Sequence, residues 1–228
     1  MKRVCVVCEG QTEETFVRDV LAPAFIGLSV HLSPETIETS PGHKGGALRY
    51  DRVKRHLRNT LRQRNAPTVT TLFDLYRLDQ GFPGHANSKA QTDLGMRLDV
   101  LRAALHADIV AEAGCRPERF IPHIQPYEFE ALLFSDVQTL SQVEAGWQSA
   151  LAELSAVRAA AHSPEYINDR PETKPAAHLE RALKNPSYHK RRHGPIAAMK
   201  IGLSKIESEC VFFSGWLMKL RALSTQPL

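Results

Sequence analysis

The sequence RVCVVCEGQTEETF, residues 3–16, sets the architecture of the chain. Its apolar first half has the length of a buried strand, and Glu9 and Gly10 follow as a turn. Thr12 suits the N-cap of a helix, and Glu13 and Glu14 suit the positive end of the helix dipole. A strand that passes through a short turn into a helix predicts the opening unit of an α/β fold.

Beyond this unit, strands and helices alternate as far as about residue 140. Apolar or β-branched runs predict further strands at 29–39, 69–73 and 120–125. Helices are predicted at 12–21, where Pro23 ends the first one, at 47–64, at 94–109 and from 127 onward. Only helices are predicted after that, near 145–161, 174–184, 195–203 and 206–222. We therefore expect a mainly parallel four-stranded sheet flanked by helices in residues 1–140, and a helical extension, residues 141–228, packed on it in one compact unit.

The composition excludes several classes of protein. With 228 residues, 43% hydrophobic and 24% charged, the chain has the balance of a globular domain and not of a disordered or collagen-like chain. No apolar stretch approaches the roughly 18 residues of a membrane span. Four cysteines make no disulfide framework, and Cys5 and Cys8 point to opposite faces of a strand, which favours core packing over a zinc or redox pair. The sequence thus predicts a cytoplasmic protein with no membrane attachment.

Basic residues are concentrated in two segments. Residues 44–64 carry eight Lys or Arg and one acid, and residues 181–205 carry seven and no acid, in a chain whose net charge is only +4. Such clusters are typical of surfaces that bind polyanions, although solvated helix faces have the same composition. The predicted nucleic-acid-binding residues are Lys44, Arg55, Arg58, Lys190, Arg191 and Arg192.

Carboxylates stand at the ends of three predicted strands. Glu9 ends the first and Asp74 the third, and the fourth runs into Glu128 and Glu130. Neighbouring parallel strands lie about 4.8 Å apart, so we expect these acids to converge at the edge of the sheet where ligands bind in such folds. Oxygen ligands of this kind suit Mg²⁺ or Mn²⁺, whereas the alternative is that each acid merely caps a helix.

The motifs around these acids resemble two known groups of proteins. The residues Glu9 to Glu13 after a strand are similar to the Glu-Gly-x-Thr-Asp/Glu signature of the TOPRIM domain of topoisomerases, primases and OLD-family nucleases, and Asp74 falls where that domain keeps its Asp-x-Asp motif. Over nearly its full length the chain resembles a bacterial family described as domain of unknown function 4276. The motifs that carry this resemblance are EGQTE (9–13), FDLY (73–76) with FPG (82–84), QPYEFEALLF (125–134), YHK (188–190) with HG (193–194), IGL (201–203) and Cys210 to Trp216.

The resemblance implies a TOPRIM-like fold and a Mg²⁺ or Mn²⁺ site for phosphodiester chemistry. It gives Glu9 the role of general acid/base or first metal ligand, and Asp74 that of central ligand. Tyr76 stands where TOPRIM domains have their second Asp. The second metal position then falls to one of three acids, namely Glu128, which we favour, Glu130 or Asp79. The predicted catalytic residues are Glu9, Asp74 and Glu128, and the predicted metal ligands are these three and Glu130.

These features together predict a metal-dependent endonuclease that acts on DNA or RNA. Families with such a domain resemble the nuclease halves of two-component bacterial antiphage systems, which implies a defence effector with a separate ATPase subunit of the SMC/ABC type. The alternative is a non-catalytic, TOPRIM-shaped binding or sensor subunit, in which Tyr76 marks a lost second metal. The sequence leaves open the choice between DNA and RNA, the activating trigger, and whether the chain forms a homo-oligomer.

Overall fold

A computed structural model describes residues 1–40, 43–44, 48–63, 65, 67–76, 78–167 and 170–225, with the backbone alone at 38–40 and 43–44. The strands in chain order are β1 (Lys2–Cys8), β2 (Val30–Thr36), β3 (Glu38–Ser40), β4 (His43–Lys44), β5 (Thr68–Asp74), β6 (Phe120–Ile121) and β7 (Ile124–Gln125). Strands β2, β1, β5 and β6 form a parallel sheet in that order, and β7 also pairs with β5. The predicted parallel α/β sheet of four strands is confirmed, with β6 and β7 sharing the fourth position.

Helices flank this sheet. The α-helices are α1 (Gln11–Phe16), α2 (Ala22–Phe25), α3 (Tyr50–Leu61), α4 (His85–Lys89), α5 (Leu94–Ala113), α6 (Val137–Ser141), α7 (Leu151–Ala159), α8 (Pro175–Ala182), α9 (Lys190–Ile201), α10 (Leu203–Glu209) and α11 (Val211–Arg221). A π-helix, Val17–Leu21, joins α1 to α2. The 3₁₀ helices are Ile26–Leu28, Pro117–Arg119, Phe129–Asp136, Ala145–Ala150, Pro164–Tyr166 and Ala222–Thr225.

The sheet separates two hydrophobic clusters. Cys8 points to the cluster that contains α1 and the apolar faces of α9–α11, and Cys5 points to the cluster formed with α3 and α5. Both thiols are buried, so the prediction that they pack in the core on opposite faces is confirmed. Because α9 packs against α1 in the first cluster, residues far apart in the sequence meet beside the end of β1.

The fourth strand is interrupted between β6 and β7. Pro122 has no N–H for the sheet ladder, so regular pairing stops after Ile121. The Thr71 hydroxyl of β5 bridges the gap by donating to the carbonyl oxygen of His123 at 2.7 Å and accepting from the backbone N–H of His123 at 2.9 Å. The Thr71 side chain thus replaces the missing ladder bonds, and β7 pairs with β5 again just before Glu128 and Glu130.

Two sequence predictions about helix ends are wrong. Pro23 does not end the first helix, which continues to Phe25, because the π-helix before it absorbs the missing backbone hydrogen bond. The helix predicted near 195–203 begins earlier, since α9 starts at Lys190 and contains Pro195. Gly194 lies within this helix and is closely packed, because a Cβ there would lie 3.1 Å from Phe129 and 3.2 Å from Thr12.

The helix predicted at 206–222 is also divided. α10 ends at Glu209, and Cys210 adopts an extended conformation before α11 begins. The cause lies elsewhere in the chain. The buried carboxylate of Glu165 accepts hydrogen bonds from the backbone N–H groups of Phe212 and Phe213, both at 2.9 Å, and so caps the start of α11.

Both edges of the sheet carry a proline. Strand β2 forms one edge and contains Pro34, and the other edge is the β6–β7 strand interrupted at Pro122. Among the described residues, no helix is both long enough and apolar enough to cross a bilayer.

Candidate functional site

Glu9 and Asp74 lie side by side at the carboxyl ends of β1 and β5. The two strands are hydrogen-bonded neighbours, with Cys8 opposite Leu72. One carboxylate oxygen of Glu9 accepts from the backbone N–H of Asp74 at 3.3 Å. Asp74 itself is buried, and its Oδ1 accepts from the backbone N–H of Phe129 at 2.9 Å. The structure therefore brings these two predicted residues together, as their positions at adjacent strand ends require.

A strained turn leads from β7 into the site. Tyr127 has φ of +55°, a left-handed conformation that a bulky residue rarely adopts. Its carbonyl oxygen accepts from the backbone N–H of Tyr76 at 2.9 Å, which ties the turn to the end of β5. This reversal carries the chain into the 3₁₀ helix Phe129–Asp136 and places Glu128 and Glu130 beside the sheet edge.

Glu128 and Glu130 have different partners. Glu128 accepts from Lys174 Nζ at 2.7 Å and from the backbone N–H of Ala176, in the first turn of α8, at 3.0 Å. Glu130 is fully buried, and Lys190 Nζ lies 3.3 Å from its Oε1. Neither carboxylate oxygen of Glu130 accepts a hydrogen bond from any described residue. Glu128 thus helps to hold α8 in place, whereas the oxygens of Glu130 are left for another partner.

Glu13 is a member of the site that sequence reasoning did not select. Its position in the first turn of α1 suggested a helix-dipole role, yet its side chain is buried against the other acids. The charge of Glu13 raises the pKa of Asp74 and that of Glu130. The charge of Lys190 in turn lowers the pKa of Glu13. The signal was present in the motif itself, where Glu13 is the last acid of Glu-Gly-Gln-Thr-Glu. We call Glu9, Glu13, Asp74 and Glu130, with Lys190, the acid cluster.

Burial and mutual repulsion shift the pKa values of the residues in the acid cluster. Desolvation raises the pKa of Asp74 well above its ordinary value, and the charges of Glu9, Glu13 and Glu130 raise it further. Desolvation likewise raises the pKa of Glu130 to about 7, although Lys190 opposes the shift. Desolvation alone would lower the pKa of Lys190, but the surrounding carboxylates reverse this and raise it. One ammonium group therefore faces several carboxylates in a poorly solvated place.

Tyr76, which stands in place of the second Asp, and Asp79, a candidate for the second metal position, both have structural partners. The Tyr76 ring lies under Lys174, whose Nζ is 4.7 Å from the ring centroid. Asp79 accepts from the backbone N–H of Tyr50 at 2.9 Å and from that of Gly81 at 3.2 Å, so it caps the start of α3. Of the three acids considered for the second metal position, Glu130 is the one whose charge raises the pKa of Asp74, after the larger effects of Glu9 and Glu13.

The predicted nucleic-acid-binding residues differ in their surroundings. Arg58 is paired with Glu112 at 3.3 Å, and Arg192 is paired with Glu144 at 3.3 Å. Arg55 and Arg191 are exposed. The side chain of Lys44 lies outside the described residues, and Lys190 belongs to the acid cluster.

His123 lies away from the acid cluster. Its ring stacks on Trp216 with centroids 4.5 Å apart, and its Nε2 is 3.2 Å from Oε1 of Gln125. Burial lowers the pKa of His123 to about 3, so the ring is neutral in the core. Its role is one of packing.

The acid cluster has the carboxylate oxygens that a divalent cation site needs, but these side chains do not surround a common cation position. Among the residues that the structure describes, no three His, Cys, Asp or Glu side chains are arranged to hold a metal ion. Lys174 and Lys190 occupy the positions beside Glu128 and Glu130. Carboxylate oxygens are the ligands that Mg²⁺ and Mn²⁺ prefer, and those of Glu130 accept no hydrogen bond, although Lys190 Nζ lies 3.3 Å from Oε1.

Comparison with known proteins gives one match to a family model, which covers nearly the whole chain. A model of the family described as domain of unknown function (DUF4276) matches residues 8–221. No curated protein and no solved structure matches the chain. The matched region runs from the last residue of β1 to the last residue of α11, so it includes the acid cluster and both lysines. Because the match covers far more than half of the chain, the chain belongs to the DUF4276 family.

Proposed function

We propose that the protein is a metal-dependent nuclease that hydrolyses phosphodiester bonds, with a TOPRIM-like core. The single observation that carries this proposal is the acid cluster, and above all Glu130. Its two oxygens are buried without hydrogen bonds beside Asp74 and Glu13. A buried carboxylate without hydrogen bonds costs stability even beside Lys190, which other acids share, and this cost supports a further partner that the fold itself does not supply.

In this proposal Asp74, Glu130 and Glu13 would hold Mg²⁺ or Mn²⁺ after a rearrangement of their side chains, which are not arranged around a common cation position in this structure. When bound, such a cation lowers the pKa of water and offsets charge on the phosphate. Glu9 orients Asp74 through the backbone N–H of that residue. The side chain of Lys190 is 43% exposed beside Glu130 and would suit a phosphate oxygen. Glu128 would act through α8 and Lys174, so the structure favours Glu130 for the role that the sequence gave to Glu128.

A second function is favoured by a different observation. The ion pairs of Lys174 with Glu128 and of Lys190 with Glu130 neutralise part of the site without a metal. That is the expected state of a non-catalytic binding or sensor subunit. We rank it second because one lysine, Lys190, faces three or more carboxylates of the acid cluster.

Nucleic acid is the proposed partner in both cases, and exposed arginines such as Arg55 and Arg191 support it. A separate ATPase subunit and a role in defence against phage remain proposals that rest on the resemblance alone.

The deciding experiment is a cleavage assay on plasmid DNA, single strands and total tRNA with Mg²⁺, Mn²⁺ or EDTA. We expect metal-dependent cleavage that Asp74→Asn reduces by at least about 100-fold. Asp99→Asn is the matched control, because Asp99 is an exposed acid on α5. Absence of cleavage on every substrate, with nucleic-acid binding retained in EDTA, would instead establish the binding subunit.

A further inference from the structure

A cleft with a volume of about 530 Å³ lies beside β6, the edge strand of the sheet, and is lined by residues of α5 and α11. This volume is within the usual range of sites that bind small molecules. None of the lining residues belongs to the acid cluster. The cleft is therefore a separate place on the molecule, whatever reaction the acid cluster supports.

The apolar part of the lining comes mainly from the chain around β6. Pro117, Phe120, Ile121 and Pro122 provide it, and Ala103 of α5 adds an exposed methyl group. Apolar surface of this kind favours a ligand whose own apolar part leaves water on binding.

Two cations line the same cleft from different helices. Arg102 of α5 donates through Nε to the carbonyl oxygen of Leu98 at 3.2 Å and through Nη2 to Oδ1 of Asp99 at 3.0 Å. These bonds hold the guanidinium on its own helix, and its Nη1 makes no hydrogen bond with a described residue. Lys219 of α11 is exposed and forms no ion pair within the described part of the chain. Both cations therefore have N–H groups left for an anion.

His106 shows that the lining is formed in advance. Its Nε2 lies 2.9 Å from the carbonyl oxygen of Pro117, and its ring is stacked on Phe120 with an interplanar angle of 10°. The imidazole thus joins α5 to both ends of the segment before β6. A lining that is already ordered reduces the entropy lost when a ligand binds.

Two acids also line the cleft, but they do not cancel the cations. Asp99 is 78% exposed and already paired with Arg102, and Glu118 is exposed. The buried ring of His123, the residue after Pro122, responds to the field inside the lining.

Burial is the main cause of the lowered pKa of His123. The charges of Arg102 and Lys219 lower it further, whereas no carboxylate of the described residues has a comparable effect. The electrostatic potential on the inner side of the cleft is therefore positive.

From this lining we propose that the cleft binds a small organic anion, in which a carboxylate or phosphate group meets Arg102 and Lys219 and an apolar ring lies against the chain around β6. An inorganic anion would leave the apolar lining uncovered. A neutral ring would leave both cations without a partner. Mononucleotides and aromatic carboxylates have the required combination.

The test is calorimetric titration in EDTA with AMP and naphthoate, which carry both parts. Adenosine and naphthamide, which lack the charge, and inorganic phosphate, which lacks the ring, are the comparisons. We expect AMP, naphthoate or both to bind with a dissociation constant below about 1 mM, and the three comparison compounds to bind at least about tenfold more weakly. Binding of AMP alone would identify a phosphate as the anionic group, and binding of naphthoate alone a carboxylate.

Two pairs of variants locate the binding. Arg102→Gln should weaken it at least about tenfold, whereas Arg55→Gln, at an exposed arginine on α3, should not change it. Ala103→Phe should fill the cleft and abolish binding, whereas Ala111→Phe, farther along the same helix, should not. Both alanines are exposed, so we expect both phenylalanine variants to fold.

The proposal is overturned if neither AMP nor naphthoate binds to the wild type, or if the uncharged compounds bind equally well. Unchanged affinity in Arg102→Gln or in Ala103→Phe would also overturn it, because the anion would then lie elsewhere. These outcomes leave the nuclease proposal untouched, since cleavage is not measured in EDTA.

Discussion

Glu130 and Glu165 are both fully buried glutamates, and burial raises the pKa of each to about 7. Their surroundings differ. Both oxygens of Glu165 accept backbone N–H groups at the start of α11. The oxygens of Glu130 accept none, although other acids and Lys190 lie around them.

The Glu165 carboxylate stabilises the fold through hydrogen bonds, whereas the Glu130 carboxylate makes no hydrogen bond that would do so. Glu165 satisfies orphan N–H groups at a helix start, so its burial has a structural reason. Glu130 has no such reason, and removal of its charge relieves repulsion in the acid cluster. The lack of hydrogen bonds, and not burial or a raised pKa, is therefore what distinguishes Glu130 from Glu165 and supports the proposed site at this edge of the sheet.

The largest expected effect is on catalysis. Glu130→Gln should lower the rate of phosphodiester cleavage by about 1,000-fold, or about 4 kcal/mol, because the amide keeps the shape and loses the charge. Glu165→Gln should leave the cleavage rate within about threefold of wild type when corrected for the folded fraction. If both variants lost cleavage rate to a similar extent, the difference in hydrogen bonding between Glu130 and Glu165 would be unrelated to catalysis.

The next effect is on stability and runs in the opposite direction. Glu165→Ala leaves two buried N–H groups without acceptors and should lower the free energy of unfolding by about 3 kcal/mol. Glu130→Gln should leave it unchanged or raise it. Urea denaturation followed by circular dichroism gives both values. A strong loss of stability in Glu130→Gln would assign Glu130 to the fold.

Glu165 should also make stability depend on pH. Its folded pKa, about 7, exceeds its unfolded value of about 4.5, so the folded state binds the proton more tightly. The contribution is fully present below pH 4.5 and is lost as the pH rises toward 7. Between pH 5 and pH 7 the wild type should lose about 2 kcal/mol relative to Glu165→Gln. Parallel curves of unfolding free energy against pH for the two proteins would contradict this.

The smallest effect concerns the basic segments. Arg191→Ala should reduce the slope of log binding constant against log salt by about 0.8 for a nucleic-acid ligand, since one phosphate contact is lost. Arg62→Ala is the matched control, because the carbonyl oxygens of Glu112 and Ala113 already hold the Arg62 guanidinium. Titrations at four salt concentrations measure both slopes, and an unchanged slope for Arg191→Ala would place the nucleic acid elsewhere.

Much of the fold follows from local patterns in the sequence. The apolar run before Glu9 and the β-branched run before Asp74 predict two neighbouring strands, and parallel pairing then brings their ends together. The Leu94 to Ile109 spacing predicts α5, whose apolar residues are buried in one hydrophobic cluster. These features depend on residues close together in the chain.

The rest depends on contacts between distant residues, which no local pattern contains. The break before α11 depends on Glu165, about 47 residues earlier, and the close packing of Gly194 in α9 depends on Phe129. The burial of Glu13 against Glu130 is of the same kind. For that reason the strand-end acids were predicted from the sequence, whereas the order of their importance was not.

The prolines at the two edges of the sheet affect how copies of the chain meet. An exposed strand edge is a template for a strand of a neighbouring molecule, and long regular edges favour aggregation. Pro34 removes a backbone donor from β2, and the interruption at Pro122 leaves two-residue strands on the other side. Neither edge offers an uninterrupted row of donors and acceptors. Growth of the sheet from one molecule into the next is therefore disfavoured, and Pro34 and Pro122 oppose fibril formation from the folded state.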